Sequence, residues 1–114
     1  MKGITSDFFP NKNNFHIEDK DTGKNIEIDV TKLKGIFFVK SFEGNKDYQE
    51  QQNIERTGLG KKIKVKFKDG ETAIGYTTGF SRDRTGFYLF PSDPNSNTEK
   101  IFVVIDATME ISFI

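Results

Sequence analysis

From residue 62 to residue 68 lysine and apolar side chains alternate without a break: Ile63, Val65 and Phe67 stand between Lys62, Lys64, Lys66 and Lys68. A period of two puts every apolar side chain on one face of a β-strand and every lysine on the other. A Thr- and aromatic-rich run, 71–80, follows across Asp69-Gly70. Asp-Gly between two such runs predicts a hairpin closed by a type I′ turn, which needs positive φ at both central residues. Gly75 and Gly79 lie inside the second run, where a glycine predicts a bulge or a sharp bend. The stretch 60–81 is therefore the seed of a small curled sheet.

The rest of the chain falls into short strands around it. Phe15-His16-Ile17 opens one, the turn cluster 19–25 follows with Gly23 at its centre, and Ile26, Ile28 and Val30 then alternate with Glu27 and Asp29. Residues 31–35 make a corner, read as one helical turn. The run 36–42 is continuously apolar, the pattern of a strand buried on both faces. Downstream, 82–86 reads as a turn, 87–90 as a strand ended by Pro91, and 92–100 as a long exposed polar loop. Then come a strand at 101–104, a second corner at 105–108 and a closing alternating strand at 109–113. Eight strands without a substantial helix predict an all-β fold, a small barrel or a sandwich.

Two stretches interrupt the strands. The arm 1–14 is polar except for Phe8-Phe9-Pro10, and one of the two phenylalanines is expected to plug the core. The connection 43–59 is rich in Glu, Gln, Asn and Lys, with Tyr48, Ile54 and Leu59 as its large apolar side chains. It reads as a loop or as a short helix over one end of the sheet. Its seventeen residues exceed the length at which structureless connections become uncommon, so partial order or a role in binding is expected. The expected core is Phe15, Ile17, Ile26, Ile28, Val30, Leu33, Ile36, Phe38, Ile63, Val65, Phe67, Ile74, Tyr76, Phe87, Leu89, Ile101, Val103, Ile105, Ile111 and Phe113.

An internal echo runs through this pattern. Ile26, Ile28, Val30, Ile36 and Phe38 have apolar counterparts 75 residues later at Ile101, Val103, Ile105, Ile111 and Phe113. Either two strand–corner–strand units of similar length coincide, or the chain holds two related half-barrels around one core. At 114 residues one domain is expected, divided into the arm 1–14, a first unit 15–42, the polar connection 43–60 and a second unit 61–114.

Composition narrows the chemistry. There is no cysteine, which removes disulfides, thiolate metal sites and cysteine nucleophiles and is compatible with a reducing compartment. Seventeen basic side chains balance seventeen acidic ones, so the chain as a whole lacks the basic footprint of a nucleic-acid binder. No apolar run reaches the length of a membrane span, and the first ten residues lack the apolar core of a signal peptide. A cytoplasmic protein is expected. The single histidine, His16, stands in a strand opposite in direction to its two apolar neighbours and is expected to face solvent. One histidine and no thiol leave no zinc site of the usual kind, and Asp19 and Asp21 do not complete a calcium loop. Residues 58–62, GLGKK, lack the upstream glycine, the Ser/Thr and the helix of a phosphate loop. No metal, cofactor or catalytic group is expected, and no enzyme.

One candidate surface remains: Lys62, Lys64, Lys66 and Lys68 in a row, with Lys61 beside them and Arg82 and Arg84 in a later loop. Cations two strand rises apart, about 6.5–7 Å, could follow a phosphate backbone. Lysines on the wet face of a strand also serve simply to keep it soluble and unpaired.

Residues 60–80 (GKKIKVKFKDGETAIGYTTGF), followed by GFYLFP and IFVVIDATMEISF, resemble the Sm-like, SH3-type barrel: a bent hairpin with Asp-Gly at its turn, two further strands, a short 3₁₀ corner and a closing strand. The Asp and Asn with which Sm proteins hold RNA are replaced by Ser81 and residues 82–86, and the second signature by VIDAT, so RNA binding of that kind does not carry over. A longer resemblance, from about Gly3 to the end and resting on SDFFP, FHI, LKGIFFVKSF, KFKDGE, GY, GF, LFPSDPNSN and IFVV, is to an uncharacterised bacterial domain family that occurs alone or beside PilZ and receiver domains. It implies a regulatory or interaction module. The arginine signature by which PilZ domains bind cyclic di-GMP is absent, because Arg82 and Arg84 have the wrong spacing. The expectation is thus a non-enzymatic module with a protein partner, favoured by neutral charge and by the loop 92–97. The alternative is a nucleic-acid- or nucleotide-binding barrel using the lysine ridge.

Overall fold

The computed structural model describes residues 1–44, 48–49, 51 and 54–114. In chain order these form β1 (Gly3–Ile4), β2 (Asn14–Asp19), β3 (Asn25–Asp29), a 3₁₀ turn (Val30–Lys32), β4 (Gly35–Val39), β5 (Lys61–Phe67), β6 (Thr72–Thr77), β7 (Gly86–Pro91), β8 (Thr98–Val104), a second 3₁₀ turn (Ile105–Ala107) and β9 (Thr108–Phe113). Nine strands replace the eight expected among the described residues, the additional one being the two-residue β1 in the arm. They build a three-stranded sheet, β1-β2-β3, and a six-stranded sheet, β4-β8-β7-β6-β5-β9. The larger sheet does not close into a barrel, since β4 and β9 each pair on one side only. The architecture is an all-β sandwich.

The alternating run folds as read: Ile63, Val65 and Phe67 on β5 are fully buried, and Lys64 and Lys66 are exposed. The hairpin to β6 keeps register from Lys61↔Thr77 to Lys66↔Thr72. Its turn differs from the type I′ expected. Gly70 alone takes positive φ, at 94°, and Asp69 does not. The Gly70 N–H donates to Phe67 O at 3.0 Å and the Phe67 N–H to Glu71 O at 2.8 Å. This is a three-residue loop ending in a left-handed glycine, which frees Asp69 to accept from the Glu71 N–H at 3.0 Å. Gly75 is needed for a different reason than a bulge. A Cβ there would stand 2.2 Å from the Phe90 carbonyl oxygen, so the backbones of β6 and β7 approach as closely as they do only without a side chain.

Burial divides at β8. Ile101 and Val103 pack with Ile63, Val65, Phe67, Phe87 and Leu89. Phe102 and Val104, on the opposite face, pack with Phe15 and Val30, and with Phe8, Ile36, Phe38 and Tyr88 around them. The continuous run IFVV is therefore a central strand with a core on each side, as continuous apolar strands are. Phe102 and Val104 lie outside the expected core, and Phe113, placed in it, is 51% exposed because β9 is an edge. The plug is Phe8, with ring centroids 5.3 Å from Phe15 and 5.2 Å from Phe102, while Phe9 stays exposed.

Two other expectations are corrected. The run 36–42 is not a buried strand: β4 stops at Val39, and Phe37 and Val39 are each 39% exposed. Beside β8 on one side only, β4 turns Ile36 and Phe38 into the second core and leaves the alternate pair at the rim. The loop 92–97 is not the open polar loop expected, since Ser92, Asp93 and Ser96 are buried. Asp93 accepts hydrogen bonds from the Tyr48 hydroxyl, from the Gln51 N–H at 2.9 Å and from the Asn95 N–H at 2.9 Å. The connection 43–60 is thereby fastened over it, helped by Arg56 Nη1 donating to Pro91 O at 3.0 Å. Described residues of this connection carry neither helix nor strand. Whether 45–47, 50 and 52–53 are loop or helix lies outside the described residues.

The 75-residue echo has a structural counterpart. The 3₁₀ turns Val30–Lys32 and Ile105–Ala107 stand 75 positions apart, and each is followed by a residue (Leu33, Thr108) whose N–H closes onto the first turn residue's carbonyl. Each turn is also anchored backwards in the same way, the Val30 N–H to Asn13 O at 2.7 Å and the Ile105 N–H to Thr85 O at 2.9 Å. β4 and β9 thus each follow a 3₁₀ corner of the same form.

Candidate docking edge

A sheet edge exposes unpaired N–H and C=O groups, and proteins usually blunt it with short length, charge or proline. Four strands of this fold are edges. β1 has two residues, and β3 carries Glu27 and Asp29. β4 is bracketed by Lys34 and Lys40. β9, TMEISF, has neither lysine nor proline, and it exposes Met109 at 61% and Phe113 at 51%, with Ile114 beyond it.

Register decides which of its backbone groups are free. The Ile114 N–H donates to Lys62 O at 3.2 Å. Alternation along an antiparallel ladder then points the N–H groups of Ser112 and Glu110 at β5 and those of Ile111 and Phe113 outward. The register slips between Lys66 and Phe67, so the ladder is regular only from Glu110 onward. Beside the start of β9 lies a groove of about 380 Å³ lined by Lys68, Arg82, Asp106, Met109, Glu110 and Ile111, among others. The Arg82 guanidinium lies over the Phe80 ring, 5.5 Å from its centroid, and Phe80 meets Phe113 edge-on at 5.7 Å. Phe113 is thereby held at the rim.

The six cationic residues singled out from the sequence are separated by the fold. Lys64 and Lys66 stand exposed on the outer face of β5, Lys68 is exposed in the turn that follows it, and Lys62 is half-buried. Lys68 and Arg82 meet at the β9 groove. Arg84 points elsewhere, to a cleft of about 570 Å³ between the arm and the β6–β7 loop, with Asn11, Asp83 and Tyr88. None of the six forms an ion pair among the described residues. Across from the row, β6 offers Thr72, Ile74 and Tyr76, and β9 offers Glu110 and Ser112. The Tyr76 ring is 6% exposed and its hydroxyl accepts from the Arg56 N–H, so it is closed to stacking. His16 is exposed, as expected, and is held by Asp7: Nδ1 lies 2.8 Å from the carboxylate, with Glu27 3.7 Å from Nε2.

Next to the row, Lys34 ties the two units together. Its Nζ lies 2.8 Å from Asp69 and 3.0 Å from Glu71, and 4.8 Å from the centroid of the Phe67 ring. Burial opposes the ammonium, but hydrogen bonds to Asp69 and Glu71 outweigh it and hold the Lys34 pKa above its ordinary value. The Lys34 hydrogen bond holds Asp69 below the usual carboxylate range. With those two carboxylates engaged, the lysine row keeps Glu110 as its cross-strand acid on β9.

The edge residues Met109, Glu110, Ile111 and Phe113 were not among those singled out. The signal was present as a closing strand without lysine or proline beside a lysine-rich one, but only pairing shows that β9 has a neighbour on one side.

The fold defines the class, a small all-β sandwich. The chain belongs to the family of unknown function DUF6982, whose model matches residues 1–114. No curated protein and no solved structure matches it. Among the described residues, no helix is long and apolar enough to cross a membrane.

Proposed function

We propose that this protein is a non-catalytic protein-interaction module whose docking surface is the free edge of β9. The observation that carries the reading is that, of the four edges among the described residues, β9 has neither lysine nor proline in it or directly beside it, with Glu110 as its one charge, while it presents outward N–H groups at Ile111 and Phe113 and exposed Met109 and Phe113. The resemblance to domains found beside PilZ and receiver domains supports a regulatory setting in bacterial signalling. A strand order β9-β5-β6-β7-β8 with a 3₁₀ turn before β9 supports the likeness to the SH3-type barrel.

The test is capture from native cytosol with nuclease, comparing the natural chain with Phe113→Pro and Phe113→Ala. Both variants lose the ring, but only proline removes the outward N–H. A protein held by the natural chain and by Phe113→Ala, and lost with Phe113→Pro, supports the edge. Capture of nucleic acid alone, abolished by Lys64→Glu with Lys66→Glu, would replace this reading with the lysine-row alternative. Four engaged lysines would then give a log–log salt slope of about −3.6 on duplex DNA, or about −2.8 on a single strand.

A further inference from the structure

Resting on that docking reading, we infer that the partner binds by strand addition and that the segment it adds is extended and acidic on the face it shares with the lysine row. A strand hydrogen-bonded to β9 would lie about 4.8 Å from it, and two such spacings, about 9.6 Å, from β5. Its side chains alternate like those of β9. One face continues the outer surface of Ser112, Lys64, Glu110 and Lys66, and the other continues the inner surface of Phe113 and Ile111.

On the outer face the charge is one-sided. Lys64, Lys66 and Lys68 are exposed and without an ion pair among the described residues, and Lys68 shares the groove with Arg82. Against them stand Glu110 on β9 and Asp106 in the turn before it. A lysine side chain is long enough to span one intervening strand position, so a carboxylate on the added strand opposite Ser112 falls within reach of Lys64. A carboxylate directly opposite Glu110 would be repelled, because like charges in cross-strand pairs are unfavourable. The fitting segment therefore carries an acidic residue opposite Ser112, a neutral or basic one opposite Glu110, and apolar residues opposite Ile111 and Phe113. The N–H and C=O groups of Ile111 and Phe113 supply the main-chain bonds, as in other strand-addition complexes.

The experiment titrates the isotope-labelled full chain with two soluble peptides of alternating sequence. One has valine alternating in turn with glutamate and glutamine, the other valine alternating in turn with lysine and glutamine, so that a charged residue can face Ser112 with a neutral one facing Glu110. The expected result is binding of the glutamate peptide with slowed hydrogen exchange at the Ile111 and Phe113 amides. Lys64→Glu with Lys66→Glu should weaken it roughly two- to thirtyfold, the span for two exposed ion pairs, and Phe113→Pro should abolish it. Equal binding of both peptides would overturn the acidic assignment. So would a native partner that Phe113→Pro releases and the lysine variant does not, and either result leaves edge docking intact. Failure of both peptides to protect these amides would overturn strand addition itself. Self-association at the same edge, seen as a dimer in sedimentation that Phe113→Pro disperses, would instead make a second copy the occupant.

Discussion

Phe102→Ala tests whether β8 separates two cores. Phe102 is 1% exposed, and its ring lies 5.2 Å from that of Phe8 and 5.4 Å from that of Tyr88, both in edge-on contact. Truncating a buried phenylalanine costs about 3–5 kcal/mol, with the upper part of the range expected where ring partners cannot collapse into the gap. A domain of this size has about 5–15 kcal/mol in all, so the variant should fold with a much reduced margin. Unfolding entropy of roughly 2.1 cal/mol/K per residue makes each kcal/mol worth about 4 °C, and the midpoint should fall by about 12–20 °C. Ile101→Ala, on the opposite face and 5% exposed, should cost about 2–5 kcal/mol by the same mechanism. Urea unfolding of the two variants beside the natural chain measures both. A strand with one wet face would lose heavily at one position and less than about 0.5 kcal/mol at the other. That asymmetry would refute the two-core arrangement and the packing of the three-stranded sheet against β8.

Gly75→Ala should cost about 1–3 kcal/mol or prevent folding, because its methyl group meets the Phe90 carbonyl, whereas Gly79→Ala, with nothing within 4 Å, should be close to neutral in the same urea assay. Stability should fall as pH drops through the low carboxylate range. Asp7, Asp29, Asp69 and Asp93 are held below their ordinary values, chiefly by the His16 backbone N–H, the Thr31 hydroxyl, the Lys34 ammonium and the Tyr48 hydroxyl respectively. The unfolded chain then binds more protons than the folded one, so these contributions are complete above the unfolded value of about 3.9 and are lost as pH falls through the depressed folded values. Unfolding midpoints between about pH 6 and 2 should show this, with a shallower decline in Asp69→Asn. Lys34 has the opposite sign: its raised pKa gives a contribution present below 10.5 and lost as pH rises through the folded value, and Lys34→Met should remove it. Tyr48→Phe should cost about 1–3 kcal/mol by taking a donor from the buried Asp93 carboxylate, read as a lower urea midpoint.

Alternation made β5, β3 and the hairpin legible, because a strand with one wet face writes its period into the sequence. The two 3₁₀ corners were legible through the 75-residue echo. Continuous apolar runs were not, since IFFV and IFVV have the same hydrophobicity and opposite fates. β8 has a neighbour on each side and a core on each face, while β4 has one neighbour and a half-exposed face. Pairing, a long-range property, separates them. The loop 92–97 misled for a related reason: its Asn, Ser, Pro and Asp are turn formers, but Asp93 is buried because a distant tyrosine and a distant backbone N–H come to it. Lys64 and Lys66 lie on the outer face of β5 as their alternation implies, yet their relation to an open edge depended on where the last strand docks.

The pairing of the strands that follow the two matching corners accounts for the ends of the larger sheet. In the second unit β9 returns to pair with β5, the strand that begins that unit. The first unit has no counterpart of β5 before β2, only the arm with its two-residue β1. Lacking that partner, β4 crosses to the other unit and pairs with β8, from Gly35↔Val103 onward. The six-stranded sheet is therefore β5 to β9 extended by β4, and each of its two end strands follows a 3₁₀ turn. Only one of these ends is bracketed by lysines. If the asymmetry serves docking, transferring it should transfer the protection: Met109→Lys near the start of β9 with Ile114→Lys just beyond its end should leave stability in urea within about 0.5 kcal/mol, since both positions are exposed. It should also remove partner capture at that edge. A partner retained by this variant at unchanged strength would mean that the open edge is not where it binds.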